Sequence, residues 1–232
     1  MILSYVGVNM NIKKIVAHKA IELVQEEMTV GLGTGSTAYW AIQNLGQRVR
    51  QGLNIKAVPT SIESERLAKK LGIPLAVLSE INEVDITIDG ADEISHNLDL
   101  IKGGGGALLR EKLVASISKQ LVIIADETKW IRNLGAFPLP VEIVPFGWEI
   151  TQKQIAKLGC APKLRLTEGK TFITDNGNYI LDCKFNEIKS PKKLGINLNL
   201  LPGVVENGLF VDMADIVYIA ANTGSVNVYK RE

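Results

Sequence analysis

A chain of 232 residues with 46% hydrophobic and 22% charged side chains has the composition of a soluble globular protein, enough for one large domain or two small ones. Its 26 Lys and Arg against 25 Asp and Glu leave a formal net charge of +1 and no long basic run, which argues against a nucleic-acid partner. Two cysteines (Cys160, Cys183) and two histidines (His18, His96), without ligand spacing, exclude a disulfide framework and a structural metal site. No apolar run approaches the roughly 18 residues of a membrane span.

The first ten residues, MILSYVGVNM, are mildly apolar but lack a basic region and a small-residue cleavage site. They read as an extension before an alternative start at Met10, and the protein is expected in the cytoplasm. Residues 13–25 interleave Ile15, Val16, Ile21, Leu23 and Val24 with alanines and predict an amphipathic helix. A short strand at 28–30 runs into Gly31-Leu32-Gly33-Thr34-Gly35-Ser36-Thr37, followed by a helix at 38–50. Strand, glycine loop and helix make a phosphate cradle: glycines allow close approach, while Ser36, Thr37 and the helix N-terminus supply donors. The loop is neither a Walker A motif nor G-x-G-x-x-G. The next strand, 55–58, ends in Pro59-Thr60-Ser61 rather than an acidic residue, so a small phosphate is favoured over a dinucleotide. A plain tight turn also fits the loop taken alone.

A helix at 61–71 stops at Gly72-Ile73-Pro74, and a short strand at 75–78 follows. Residues 84–88 alternate and are β-branched, which predicts a strand ending at Asp89-Gly90. From there to Lys112 the chain reads DGADEISHNLDLIKGGGGALLREK. In an open α/β sheet ligands sit where strands end, which makes Asp89 and Asp92 cleft candidates, although a turn and a helix cap fit them singly. Gly103 to Gly106 would cost roughly 0.5–1 kcal/mol each inside a helix or strand, and they make sense where backbone N–H groups approach a ligand. Leu109, Leu113 and Ile117 recur every fourth residue and predict a helix after them, with Glu111 in its early turns and Arg110 and Lys112 solvated. Asp89, Asp92, Lys102 and Glu111 around a nest of amides suit proton abstraction beside a carbonyl.

Residues 120–125 predict a buried strand, with Lys129 just past its end, placed for a phosphate contact or merely solvated. The pattern changes at 135–140, a linker with two prolines. A strand at 141–144, a helix at 147–158, a strand at 163–166, a hairpin of 172–174 and 179–181 around Asn176-Gly177, and a helix at 190–199 follow. Residues 209–213 and 216–220 predict strands returning to the first sheet. The fold class is α/β: a Rossmann-like parallel-sheet domain (1–134 and 208–232) with a smaller inserted α+β antiparallel domain (135–207).

The motifs GLGTGST at 31–37, DGADEI at 89–94, KGGGGALLREK at 102–112, IADETK at 124–129, FPLPVEIVP at 137–145, TDNGNYILD at 174–182 and LPGVVENGLF at 201–210 together resemble ribose-5-phosphate isomerase of type A. The resemblance runs from about residue 11 over nearly the whole chain. It implies interconversion of ribose 5-phosphate and ribulose 5-phosphate in the non-oxidative pentose phosphate pathway, with no metal and no redox cofactor. It implies that Glu111 is the general base, moving a proton between C1 and C2 through a cis-enediolate. Asp89 and Lys102 would assist opening of the furanose ring, and Asp92 would hold the hydroxyls. The Gly103 and Gly104 amides would form an oxyanion hole, with Gly105 beside them. Thr34, Ser36 and Thr37, on the loop that carries Gly33 and Gly35, would hold the phosphate with Lys129 and Lys13. A carboxylate base needs a raised pKa, which burial beside Ala107 and Ala115 would supply. The family forms dimers or tetramers. Two rival readings share the broad fold: another sugar-phosphate or coenzyme A enzyme, and a sugar-phosphate sensor domain.

Overall fold

The computed structural model describes residues 11–231, so the expected extension before Met10 lies outside the described residues. The largest sheet has the strand order Val226–Lys230, Ile216–Ala220, Leu121–Asp126, Ile86–Asp89, Thr29–Leu32, Lys56–Pro59. All neighbours are parallel except the first pair, giving the α/β fold that the alternating elements imply. Side chains alternate across each strand. Val122 and Ile124 therefore face a layer made of α1 (Ile12–Ile21), α2 (Ser36–Arg50) and α3 (Ile62–Leu71). Leu121, Ile123 and Ala125 face the opposite side, where α4 (Leu108–Ser116) packs beside a small sheet of Leu209–Phe210, Leu100–Ile101, Glu93–Ser95 and Trp130–Ile131. A third, antiparallel sheet orders Val204–Asn207, Leu139–Ile143, Tyr179–Lys184 and Ala161–Leu164, and packs on α5 (Trp148–Ala156) and α6 (Pro191–Asn199). Among the described residues no helix is long and apolar enough to cross a membrane.

Two details of this fold place the site. From Thr29–Leu32 the chain steps outward through α2 to Lys56–Pro59, then returns through α3 to Ile86–Asp89 on the other side. The strand order thus reverses between Thr29–Leu32 and Ile86–Asp89, and a crevice opens at their carboxyl ends. The second detail is the approach of α4. A Cβ on Gly31 would lie 1.9 Å from Thr87 Oγ1 and 2.9 Å from Val114, so only glycine lets α4 settle on the sheet here. Val114 docks at that point, which brings Glu111, one turn earlier, to the crevice.

Several expectations are corrected. The first helix ends at Ile21, not at residue 25. Residues 75–78 form no strand: Leu75 makes a single parallel bridge to Ala57, and a 3-10 turn follows at Leu78–Glu80. Leu209–Phe210 joins the small sheet beside Leu100–Ile101 rather than the first sheet. Residues 139–140 belong to a strand, not a linker; Pro140 needs no amide there because its carbonyl takes the Gly208 N–H at 2.8 Å. The 172–174 arm forms no hairpin ladder, because Tyr179–Lys184 is paired on both edges by Leu139–Ile143 and Ala161–Leu164. The Asn-Gly segment still turns, with Thr174 N–H on the Asn178 carbonyl at 2.9 Å. The strand Val226–Lys230 was not anticipated. In α4 the buried face is Leu108, Glu111, Val114 and Ala115, whereas Leu113 is half exposed. The leucine repeat predicts the helix that forms but not its inward face, which Glu111 shares.

Candidate active site

The crevice holds a cavity of about 170 Å³. Its floor is a buried triad. Lys102, on the segment that follows Leu100–Ile101, is 2% exposed and its Nζ lies 3.0 Å from Asp89 Oδ2 and 2.9 Å from Glu111 Oε1. Its third partner is the Gly90 carbonyl at 2.5 Å. One ammonium thus serves two buried carboxylates, and there is one positive charge too few for both to be ionised at low cost. Burial works against the Lys102 ammonium, but Asp89 and Glu111 outweigh it and hold its pKa above the ordinary lysine value. Burial pushes the Glu111 carboxyl up to about 8; Lys102 pulls it back, while Asp89 and Asp92 push it further. Glu111 lines the cavity, and its Oε2 is buried without a hydrogen-bond partner among the described residues. A buried carboxylate oxygen without a donor is costly, and its place on a cavity wall marks it for a reacting atom.

Asp89 does not line the cavity. It is 1% exposed, and besides Lys102 it accepts the N–H groups of Thr34 at 3.0 Å and Gly90 at 2.7 Å. It therefore ties the loop after Thr29–Leu32 to the neighbouring strand and holds Lys102. Gly33 also stays off the wall, with its N–H on the Ile88 carbonyl at 3.0 Å. A Cβ there would lie 2.2 Å from Asp89 Oδ1 and 2.6 Å from Asp89 Cα. Gly33→Ala is expected to lower stability by about 1–3 kcal/mol, the usual cost of overpacking. An unchanged urea midpoint would show that the loop yields instead.

The other expected residues converge on the cavity. Thr34, Gly35, Ser36 and Thr37 form one wall, joined by Lys13 from α1 and Lys129 after Leu121–Asp126. Gly35, at φ +100°, turns the chain into α2, whose N-terminus faces the crevice and favours an anion. Lys13 Nζ donates to Ser36 Oγ at 2.8 Å, and Thr34 Oγ1 shares a 2.8 Å hydrogen bond with Thr60 Oγ1. On the opposite wall lie Asp92, Gly103, Gly104 and Gly105. The Gly104 N–H donates to Asp92 Oδ2 at 2.7 Å, and a Cβ on Gly104 would lie 2.4 Å from Asp92 Oδ1. Two lysines and a helix N-terminus at one end, and acid–base groups at the other, suit an anionic phosphate ester with a reactive carbon chain.

Some residues the sequence left aside hold this arrangement. Lys112 is not solvated: its Nζ donates to Glu206 Oε1 at 2.8 Å and to the Asn207 carbonyl at 2.6 Å, which anchors α4, and burial lowers its pKa. Arg110 reaches Asn176 Oδ1 at 2.9 Å and the Asp175 carbonyl at 2.8 Å. Trp130 stacks between His96 and Tyr229, at ring distances of 5.1 and 4.2 Å, away from the triad. Arg165, which no local pattern singles out, reaches the glycine run from the third sheet.

The chain is similar to known proteins in both sequence and fold. Residues 56–224 match the family described as ribose 5-phosphate isomerase A, phosphoriboisomerase A. A ribose-5-phosphate isomerase A of Bacillus mycoides is 55% identical, over 93% of this chain and 98% of the relative. One from Gloeobacter violaceus is 50% identical, over 94% and 95%. Among solved structures, ribose 5-phosphate isomerase from Plasmodium falciparum superposes with a TM-score of 0.92 at 44% identity, covering 95% of this chain and 98% of that one. A D-ribose-5-phosphate isomerase in complex with phospho-erythronic acid superposes with a TM-score of 0.91 at 38% identity, covering 95% and 98%.

Proposed function

The chain belongs to the ribose 5-phosphate isomerase A family, and from that membership we propose that it interconverts D-ribose 5-phosphate and D-ribulose 5-phosphate at the crevice described above. The observation that carries the reading is Glu111: a buried carboxyl on the cavity wall, with one oxygen on Lys102 and the other unpartnered. The phosphate sits at the α2 N-terminus among Thr34, Ser36 and Thr37, with Lys13 and Lys129 at its sides. As the furanose opens, the C1–O4 bond breaks, O4 gains a proton and O1 loses one; Lys102, held by Asp89, assists by turning one N–H from its protein partners to the ring oxygen. Glu111 then removes the C2 proton of the open aldose, and the electron pair forms the C1–C2 double bond of a cis-enediolate. Amides of the glycine run stabilise the charge that develops on O1, and Asp92 holds the hydroxyls. The hydroxyl proton moves from O2 to O1, and Glu111 returns its proton to C1, giving the ketose. No redox partner enters, because one carbon is oxidised as its neighbour is reduced.

We further infer a cytoplasmic enzyme of the non-oxidative pentose phosphate pathway, built of two domains (1–134 with 208–232, and 135–207) and working as a homodimer or homotetramer. Light scattering reads the last point. The enediolate is tested by incubation with ribose 5-phosphate in deuterated water. Deuterium at C1 of the ketose is expected, and full retention of the original hydrogen after prolonged interconversion would rule out an exchangeable base.

The base must be ionised to act, and its free-enzyme pKa governs kcat/KM. With Glu111 at about 8, kcat/KM should rise with pH and level off above that value. Well below it, each pH unit costs about tenfold. A profile that is flat between about pH 6 and pH 9 would show that Glu111 is already ionised at pH 6 and that burial does not raise its pKa that far.

A further inference from the structure

Arg165 lies between the strands Ala161–Leu164 and Leu166–Thr167, far along the chain from the triad, yet its guanidinium reaches the glycine run. Nε donates to Asp182 Oδ2 at 3.0 Å and Nη2 to Asp182 Oδ1 at 2.5 Å, while Nη1 donates to the carbonyls of Gly103 and Gly104, both at 3.0 Å. The guanidinium carbon lies 5.7 Å from the centre of the Phe172 ring. That ring occupies the space a Cβ on Gly106 would enter, at 2.4 Å. Four of the five guanidinium N–H groups are thus committed, two to a carboxylate and two to carbonyls of the loop.

The consequence follows from the peptide group. It is planar and trans, so a carbonyl held on one side sends the following N–H to the other. With the Gly103 carbonyl on Arg165, the Gly104 N–H turns toward Asp92, which accepts it at 2.7 Å. With the Gly104 carbonyl on Arg165, the Gly105 N–H is sent away from Arg165, on a residue that lines the cavity. The Gly103 carbonyl also accepts the Gly106 N–H at 2.9 Å, so the loop's own turn shares in holding the first plane, whereas among the described residues Arg165 alone holds the Gly104 carbonyl and with it the second. We propose, resting on the isomerase reading above, that Arg165 is a positioning residue that fixes the peptide plane carrying the Gly105 amide beside the reacting oxygens and helps to hold the Gly104 amide on Asp92. Its planar fork, which spans Asp182 and both carbonyls, is what does so. A lysine carries the charge but cannot span all three.

The test compares wild type with Arg165→Met, which keeps the stem over Phe172, and with Arg165→Lys. Melting temperature, kcat, KM, and inhibition by phospho-erythronic acid and by inorganic phosphate are measured. Both variants should lose about 10–100-fold in kcat, less than the ~10²–10³ of deleting an oxyanion donor outright, with KM within about threefold. Phospho-erythronic acid should weaken by a similar factor, inorganic phosphate should inhibit unchanged, and lysine should not rescue. The proposal is overturned by kcat within about twofold of wild type in either variant. It is equally overturned by unfolding of both variants, or by parallel losses of kcat, phosphate affinity and melting temperature, the pattern of a purely structural residue. A wild-type protein without turnover would sink the isomerase reading alone. Calorimetric binding of phospho-erythronic acid against inorganic phosphate, in wild type and variants, would then decide the role of Arg165.

Discussion

Glu111→Gln is expected to lower kcat by on the order of 10²–10⁴, the usual worth of a positioned general base. The amide is nearly isosteric and can still accept a hydrogen bond from Lys102, so the fold should hold while the proton acceptor is lost. The neutral side chain also removes the need to share one ammonium between two buried carboxylates, so stability should not fall. Steady-state kinetics with a parallel thermal melt separates the two effects. A variant that retains more than about a tenth of wild-type kcat would remove Glu111 as the base.

Lys102→Met should act on stability as strongly as Glu111→Gln acts on rate. The side chain is 2% exposed, and its removal leaves Asp89 and Glu111 buried and facing each other without a counter-charge. Breaking a buried ionic arrangement in this way costs about 3–5 kcal/mol. The sign of the pH dependence follows. With the ammonium gone, burial and the charge of Asp89 raise the Glu111 carboxyl still further above its value in the unfolded chain. That group then binds its proton more tightly when folded. The penalty is therefore small near about pH 4 and grows as pH rises toward about 8. Urea titrations at the two extremes read it, and a loss of equal size at both would show that lost packing, not unpaired charge, sets the cost.

The parts of this account that were legible in the sequence are those packed close together along the chain. Asp89, Asp92, Lys102 and Glu111 fall within 24 residues. Strand ends place the first of these, the glycine run places the last, and the topology of an open α/β sheet brings both to one crevice. The phosphate loop was readable for the same reason, since strand, glycines and helix follow one another directly. What stayed hidden depends on partners distant in sequence. Arg165 is an ordinary arginine until Tyr179–Lys184 brings Asp182 beside it and the third sheet meets the glycine run. The inward face of α4 is decided by the close approach at Gly31, and the repeat of Leu109, Leu113 and Ile117 gives the helix without showing that Glu111 turns inward. The hairpin expected at 172–181 failed similarly: turn chemistry was read correctly, but the strand after it had better partners on both sides. Asp89, placed by pattern in the cleft, proves to lie beneath it, because the sequence shows that a strand ends there but not which way its last side chain points.

The most direct test of the central claim is an ultraviolet assay of the purified protein with ribose 5-phosphate alone, following the ketose carbonyl. Ribulose 5-phosphate is expected to form, the same mixture to be reached from either sugar, and no added cofactor to be needed. Absence of ketose, with ribose 5-phosphate still raising the melting temperature, would contradict that claim and point to a site that binds sugar phosphates without isomerising them.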